Sequence, residues 1–271
     1  MNNMKAIISI DENQSVEVTP ETDISSLLRN FKNINKDFPY PTEHADDSIV
    51  SRKIYKKIFS FYNEITCRGD TLNTYNSTFK NRNRLTRFLE KEKNSQKKVL
   101  LEKIDNFSQL YLAIGNFTVF ERGGKFGINM KRGSITGKLK DSWPLTLLCI
   151  QDFLSKYKLL DNNYLKPSFE ENAATITFFN RYKNHTDGFK LFCDEHYFSP
   201  KFYGNNPKFS YIVEKENGDY EILLDLFDGL SFKKPLPENL LEMEQYIDNT
   251  SLKIIERGKI LIAEYNKTLK I

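Results

Sequence analysis

Ala113-Ile114-Gly115-Asn116-Phe117-Thr118-Val119-Phe120 is the stretch on which the fold turns. Gly and Asn tolerate positive φ, so Gly115-Asn116 reads as a turn and Phe117 to Phe120 as a short buried strand. Glu121 to Lys140 is basic and carries Gly123, Gly124, Gly127 and Gly133, which predicts an irregular loop with a small hairpin inside it. Asp141-Ser142-Trp143-Pro144 closes the block. Pro is favoured at the first helical position, so a helix is expected from Pro144 to Leu159, capped by Asp141 or Ser142. Leu147, Leu148, Phe153 and Leu154 form its apolar face, and Trp143, the one tryptophan, reads as a core plug.

Working outward, the same mixture continues. Lys5–Ile10 and Ser15–Thr19 read as a hairpin, Ser25–Phe31 as a short helix, and Pro39 and Pro41 break the chain. Asp46, Asp47 and Ser48 offer N-caps for a helix with Val50, Ile54, Ile58, Phe61 and Ile65 on one face. Cys67–Ser77 is polar and reads as a loop; Thr78–Leu112 reads as mostly helical with a break at Asn94-Ser95. Beyond the block come a helix over Glu170–Tyr182 and another over Phe189–Tyr197, capped by Asp187 or Gly188. Phe209–Val213 and Tyr220–Leu226 flank Asn217-Gly218-Asp219, a hairpin signal. A long terminal helix over Glu238–Leu269 repeats Leu240, Ile247, Ile254 and Leu261 every seventh residue. Small Ser251 and Gly258 on the same side allow close packing, and the lack of a full second apolar row makes it a core-lining helix rather than a coiled coil. The fold class is α+β, predominantly helical, with short hairpins: residues 1–45 as strand pair and linker, 46–271 as one domain.

The composition of 271 residues, with 21 Phe and 14 Tyr, supports a sizeable core and excludes a disordered chain. No apolar run approaches the roughly eighteen residues of a membrane span. The stretch Ala6–Ile10 is too short and too soon acidic for a signal peptide. Cys67, Cys149 and Cys193 give no disulfide framework, so a reducing, cytoplasmic location is expected. Lys outnumbers Arg 30 to 10 and there are 26 Asn, a bias that fits an AT-rich genome, as in a low-GC bacterium, its phage or a mobile element.

The net charge of +4 is unevenly spread. Residues 80–140 hold 15 Lys/Arg against 5 Asp/Glu, leaving 25 against 31 elsewhere. A basic middle in a mildly acidic chain points to an anionic partner, the plainer alternative being a solvated helix face. Lys80, Arg82, Arg84, Arg87, Lys97 and Lys98 would lie along helix. Lys125, Lys131, Arg132, Lys138 and Lys140 would lie on the adjoining loop, with Phe126 available to stack on bases.

Cys193-Asp194-Glu195-His196 has the spacing of half a zinc site, but the other donors (Cys67, Cys149, His44) are isolated, so no metal or cofactor is expected. No phosphate loop, dinucleotide fingerprint or nucleophile elbow is present. Arg181-Tyr182-Lys183-Asn184-His185 resembles the Arg-His motif of the helical nucleases of bacterial toxin and abortive-infection systems. Three residues separate Arg181 from His185 here, where that superfamily has four to six. The resemblance implies RNA cleavage with His185 in acid–base work and Arg181 on the phosphate.

Ile114-Gly115-Asn116-Phe117, Asn129-x-x-Arg132-Gly133 and Asp141-x-x-x-Leu145-Thr146-Leu147-x-x-Ile150 together resemble the signature of an uncharacterised bacterial domain family of unknown function. The likeness extends through Asp187-Gly188-Phe189-x-x-Phe192 and Leu236-Pro237-Glu238, over the last two thirds of the chain. That family carries an Arg and a second Asp where this chain has Ser142 and Pro144. No activity follows from the resemblance. Separately, Asn116, Asn129, Arg132 and Asp141 are candidates for a cleft beside the basic segment.

Two functions remain open on the sequence. One is engagement of RNA or DNA by the basic middle segment, in phage defence or counter-defence, with cleavage as an added activity. The other is a non-catalytic protein-interaction module, an inhibitor or accessory subunit.

Overall fold

A computed structural model describes residues 4–29, 44–74, 94–133, 137–155 and 162–270. Among them the architecture is α+β and mostly helical, with three separate two-stranded antiparallel sheets. β1 (Ala6–Ser9) pairs with β2 (Ser15–Val18), in register Ala6 with Val18. Their residues alternate between buried and exposed, the period-two pattern of a half-covered hairpin. Ala6, Ile8, Val16 and Val18 join the same core as the rest of the chain. After α1 (Ile24–Arg29), Ser48 caps α2 (Ile49–Ile58), its hydroxyl accepting from the Ser51 amide at 3.1 Å.

α2 stops earlier than its apolar spacing predicts. Phe59 adopts an extended backbone, and a 3-10 turn over Ser60–Asn63 follows. The break lets Phe59 and Phe61 both reach the imidazole of His196, at 5.6 and 5.1 Å between ring centres. The polar stretch expected as a loop is a strand instead. β3 (Cys67–Thr71) pairs with β4 (Phe117–Glu121), Gly69 opposite Val119. Every residue of β4 is buried, so its backbone needs a partner strand; β3 supplies one whose polar side chains are used in a cluster. Gly69 is required there, since a Cβ would sit 1.6 Å from the Asp46 carbonyl oxygen.

α3 (Asn94–Leu110) precedes the turn Ile114–Asn116, and Gly115 of that turn lies flat on the terminal helix, where a Cβ would meet the Ile254 carbonyl at 1.9 Å. The basic loop holds no hairpin among its described residues. It folds into a 3-10 turn at Gly124–Phe126 and the short helix α4 (Ile128–Arg132). α5 (Trp143–Leu154) begins with Pro144 in its first turn, as expected, but Ser142 at its N-cap makes no side-chain cap. The single helix predicted over residues 170–182 is two, α6 (Lys166–Glu171) and α7 (Ala173–Lys183). Asn172 between them caps the second through the Thr175 amide at 3.0 Å. α8 (Gly188–Glu195) follows. β5 (Ile212–Glu214) and β6 (Tyr220–Ile222) form the predicted hairpin, Gly218 taking φ +82° at its turn.

α9 (Leu240–Thr268) has 29 residues and so runs about 43 Å. Asn239 caps it through the Glu242 amide at 3.0 Å. It touches α2, α3, β1 and the Ile114–Asn116 turn, which makes it the core-lining helix its heptad spacing implied. Gly258 gives the close approach expected of a small residue, here to Pro20. No helix of the described residues is long and apolar enough to cross a membrane.

Candidate functional site

The end of the β3–β4 pair carries a polar cluster drawn from four segments. Arg132 at the end of α4 is fully buried. Its guanidinium forms an ion pair with Asp70, donates from Nη1 to the Thr71 carbonyl at 3.1 Å and from Nη2 to the Leu72 carbonyl at 2.8 Å. Nε donates to the Thr146 hydroxyl at 2.8 Å, and the group lies 5.2 Å from the centre of the Trp143 ring. Arg132 is thus locked from every side. The second oxygen of Asp70 accepts from the Asn129 amide, whose own oxygen accepts from Arg68 Nη2 at 3.2 Å. Arg68 and Asp70 share one face of β3, two residues apart.

Two more carboxylates border this network. Asp46, in the 3-10 turn Ala45–Asp47, accepts at Oδ2 from the Thr71 hydroxyl at 3.1 Å, and Thr71 also hydrogen-bonds Tyr111. Asp141 follows Lys140, and both are left-handed, with φ of +51° and +53°. Such residues cost about 1–2 kcal/mol each unless their surroundings hold them. Here the Asp141 amide donates to the Arg132 carbonyl at 2.9 Å and the Ser142 amide to Leu139 at 2.9 Å. The strained turn brings the Asp141 carboxyl towards Arg132, Asp70 and Asp46. Asp46, Thr71, Tyr111, Asn129 and Asp141 are half-buried, so the cluster keeps contact with solvent.

The electrostatics follow from this crowding. Burial pushes Asp46 up to about 6, with Asp70 adding to the rise and the Thr71 hydroxyl opposing it. Burial takes Asp141 up to about 7; Arg132 opposes, while Asp70 and Asp46 add. Burial raises Asp70 as well, against the pull of Arg132. Tyr111 is raised by burial and by all three carboxylates, and stays protonated. Perturbed carboxylates of this kind, gathered in one half-buried cluster, mark a candidate site.

The residues picked out in the sequence divide sharply. The Asp141 amide donates to the Arg132 carbonyl, and Asn129 and Arg132 both bond Asp70 in this cluster. Asn116 does not join it: buried, it accepts from the Asn73 amide at 3.2 Å and donates to the Asn73 and Tyr111 carbonyls, pinning the strand exit. Arg132 is not a nucleic-acid contact, because its guanidinium is spent inside the protein. Lys98, Lys125 and Lys138 are exposed, Lys131 and Lys140 half-buried. Phe126 is 49% exposed, with Nζ of Lys125 and Lys131 at 5.8 and 5.4 Å from its ring centre. Lys80, Arg82, Arg84 and Arg87, and the side chain of Lys97, lie outside the described residues.

Arg181 faces Glu195 and Glu64, at 3.3 and 3.1 Å, and stands 5.0 Å from the Phe61 ring centre. His185 is exposed beyond the end of α7, and no hydrogen bond or ion pair joins the two. The half zinc site resolves into packing. Cys193 is buried, and His196 stacks on Phe192 at 4.2 Å, its Nδ1 at 3.0 Å from the Thr118 hydroxyl. Burial and then Arg257 hold that imidazole well below its ordinary range. Among the described residues no group of three or more His, Cys, Asp or Glu is placed to hold a metal ion.

The sequence reading missed Arg68, Asp70, Thr71 and Tyr111, and took Asp46 for a helix cap. One signal was present: an Arg-x-Asp pair beside Gly69 fits a strand that must approach another backbone closely. No family model, curated protein or solved structure matches this chain.

Proposed function

We propose that the protein engages single-stranded nucleic acid across the outer surface of α4, in a bacterium or its phage. The observation that carries this is Phe126, a half-exposed ring flanked by the ammonium groups of Lys125 and Lys131. An aromatic face beside cations suits a base stacked on the ring with its phosphates on the lysines. Lys138, 5.4 Å from the Tyr164 ring centre, repeats the same pairing nearby in the chain. The excess of basic residues in 80–140 supplies a field that draws in polyanions.

The resemblance to the uncharacterised bacterial family belongs to this reading. Its Arg and Asp would stand at positions 142 and 144, beside Asp141. The interaction-module reading is less favoured. It calls for a continuous exposed apolar patch, whereas the exposed large hydrophobics of the described residues fall on β1 and the stretch just before it, α3, the Phe126–Met130 segment, the β6 exit, the first half of α9 and its C-cap.

The test is a gel shift with labelled single-stranded RNA and duplex DNA at about 50 and 200 mM salt. The expected result is a shift that weakens steeply with salt, is stronger for the single strand, and falls by about tenfold in Phe126→Ala without loss of thermal stability. No shift at low salt overturns the reading.

A further inference from the structure

A cavity of about 790 Å³ lies between α5, the start of α8 and the β5–β6 hairpin. That is the size of a site for a small organic molecule, about 300–1,000 Å³, and far more than a lone ion fills. Its walls are tied to one another. Gln151 of α5 donates from Nε2 to the Tyr220 carbonyl of β6 at 3.1 Å, and the Tyr220 hydroxyl lies 2.9 Å from that of Ser199. Asn163 donates from Nδ2 to the Cys149 carbonyl at 2.9 Å and to Asp152 at 2.8 Å, both on α5. Phe232 packs on Tyr164 at 5.3 Å between ring centres. The cavity is therefore built before any ligand arrives, while the exposed Thr186 and Asp187 keep its rim open to water.

One cation of the lining is free to bind. Lys190 is half-buried and makes no hydrogen bond or ion pair among the described residues; its Nζ is held 5.3 Å from the Tyr220 ring centre. The hairpin turn closes on it as well, since a Cβ at Gly218 would lie 3.9 Å from that nitrogen. Lys215, the other lysine of the lining, is paired with Glu221 at 3.4 Å. Asp187 stands three residues before Lys190, a spacing at which helical ion pairs form. The two are nevertheless unpaired, and the Asp187 side chain does not cap α8. An ammonium set on a ring inside a cavity, with no carboxylate to satisfy it, suits an anionic group of a ligand. The unpaired carboxylate suits hydroxyl or amino donors, and the aromatic wall suits a flat ring.

We propose that this cavity binds a nucleoside 5′-monophosphate, with the phosphate on Lys190, the base against Phe232 and the ribose hydroxyls donating to Asp187. A mononucleotide fits the volume and carries all three groups at once: an anion, a flat ring system and a diol. The proposal does not rest on the Phe126 surface. Its phosphate chemistry is shared by a free mononucleotide and by the 5′ end of a strand, and the experiment separates the two.

The experiment is titration calorimetry of the full chain with adenosine and uridine 5′-monophosphates, with adenosine and with inorganic phosphate. The expected result is a mononucleotide Kd of about 100 μM or tighter, with adenosine and inorganic phosphate each weaker by about tenfold or more. Lys190→Ala should weaken the mononucleotide by about tenfold or more, and Lys190→Arg should recover most of the loss. Phe232→Leu should weaken the mononucleotide and leave inorganic phosphate unchanged; thermal melts check that the variants are folded. A strand with a 5′-phosphate is then compared with the same strand ending in a 5′-hydroxyl. A preference for the phosphate that Lys190→Ala abolishes assigns the cavity to a strand end, and mononucleotide binding without that preference assigns it to the free nucleotide. Neither mononucleotide binding nor a 5′-phosphate preference, equal affinity for inorganic phosphate, or unchanged affinity in Lys190→Ala overturns the proposal. Absence of the salt-dependent gel shift with mononucleotide binding intact overturns the Phe126 reading and leaves this one standing.

Discussion

Two arginines among the described residues are buried without residual exposure, and they are answered in opposite ways. Arg257, in the middle of α9, has no carboxylate beside it. It donates to the carbonyls of Gly115, Phe117 and His196 at 3.1, 2.5 and 3.1 Å and lies 4.4 Å from the Phe198 ring centre. Arg132 has Asp70, and near it two further carboxyls that it does not need. Arg257 is a staple: one fork joins the terminal helix to the start of β4 and the end of α8. Arg132 also staples, holding the exit of β3, but beside it lie Asp46 and Asp141, both half-buried. The contrast separates a buried charge met only by carbonyls from one met by a carboxylate with further carboxyls nearby.

The largest effect should come from breaking the staple. Arg257→Ala leaves three buried carbonyls without donors and opens a cavity, and should cost about 4 kcal/mol or more in a denaturant titration. No buried carboxylate is stranded by that change, so the loss should not shrink on acidification in the way a stranded acid's would.

Arg132→Ala should cost about 3 kcal/mol or more at neutral pH, because it strands Asp70 as an unpaired buried carboxylate. Its cost should shrink on acidification, as Asp70 takes up a proton, and should be partly relieved by adding Asp70→Asn. Equal pH dependence in the two arginine variants would break the comparison.

A smaller effect sharpens it. Asp46 and Asp141 hold their protons more tightly in the folded protein than in the unfolded chain. The stability they contribute is therefore complete below the ordinary carboxylate range and is lost as pH rises through about 6 and about 7. Wild-type Tm should fall over that window. Asp46→Asn and Asp141→Asn should each flatten the fall and melt higher than wild type at pH ~8. Lower Tm in both variants at that pH would show that the carboxylates are needed as charges for folding.

The two regions also differed in how well they could be read. α9 was legible because its seventh-residue spacing and the small Gly258 report directly on a buried stripe. The β1–β2 and β5–β6 hairpins were legible through alternation and turn residues. The cluster was half legible: Asn129, Arg132 and Asp141 fall in one block, and that block packs against β3. Asp70 and Arg68 were hidden in Cys-Arg-Gly-Asp-Thr, which has no apolar alternation because its partner strand supplies all the burial. Arg132 read as a surface cation because charge counts carry no direction, and only tertiary packing turns a guanidinium inward.

The sequence by itself determined the class of fold, the terminal helix, the hairpins and the start of α5 at Pro144, all set by local periodicity and by backbone preferences that act over a few residues. Tertiary structure alone decided that residues 67–71 become a strand and that α2 stops at Ile58 to feed two phenylalanines into the core. It also decided that Asp46, Asp70 and Asp141, far apart in the chain, come close enough to raise one another's pKa. The physical reason is that a carboxylate's chemistry is fixed by its burial and by the charges around it, and neither is a property of its neighbours in sequence.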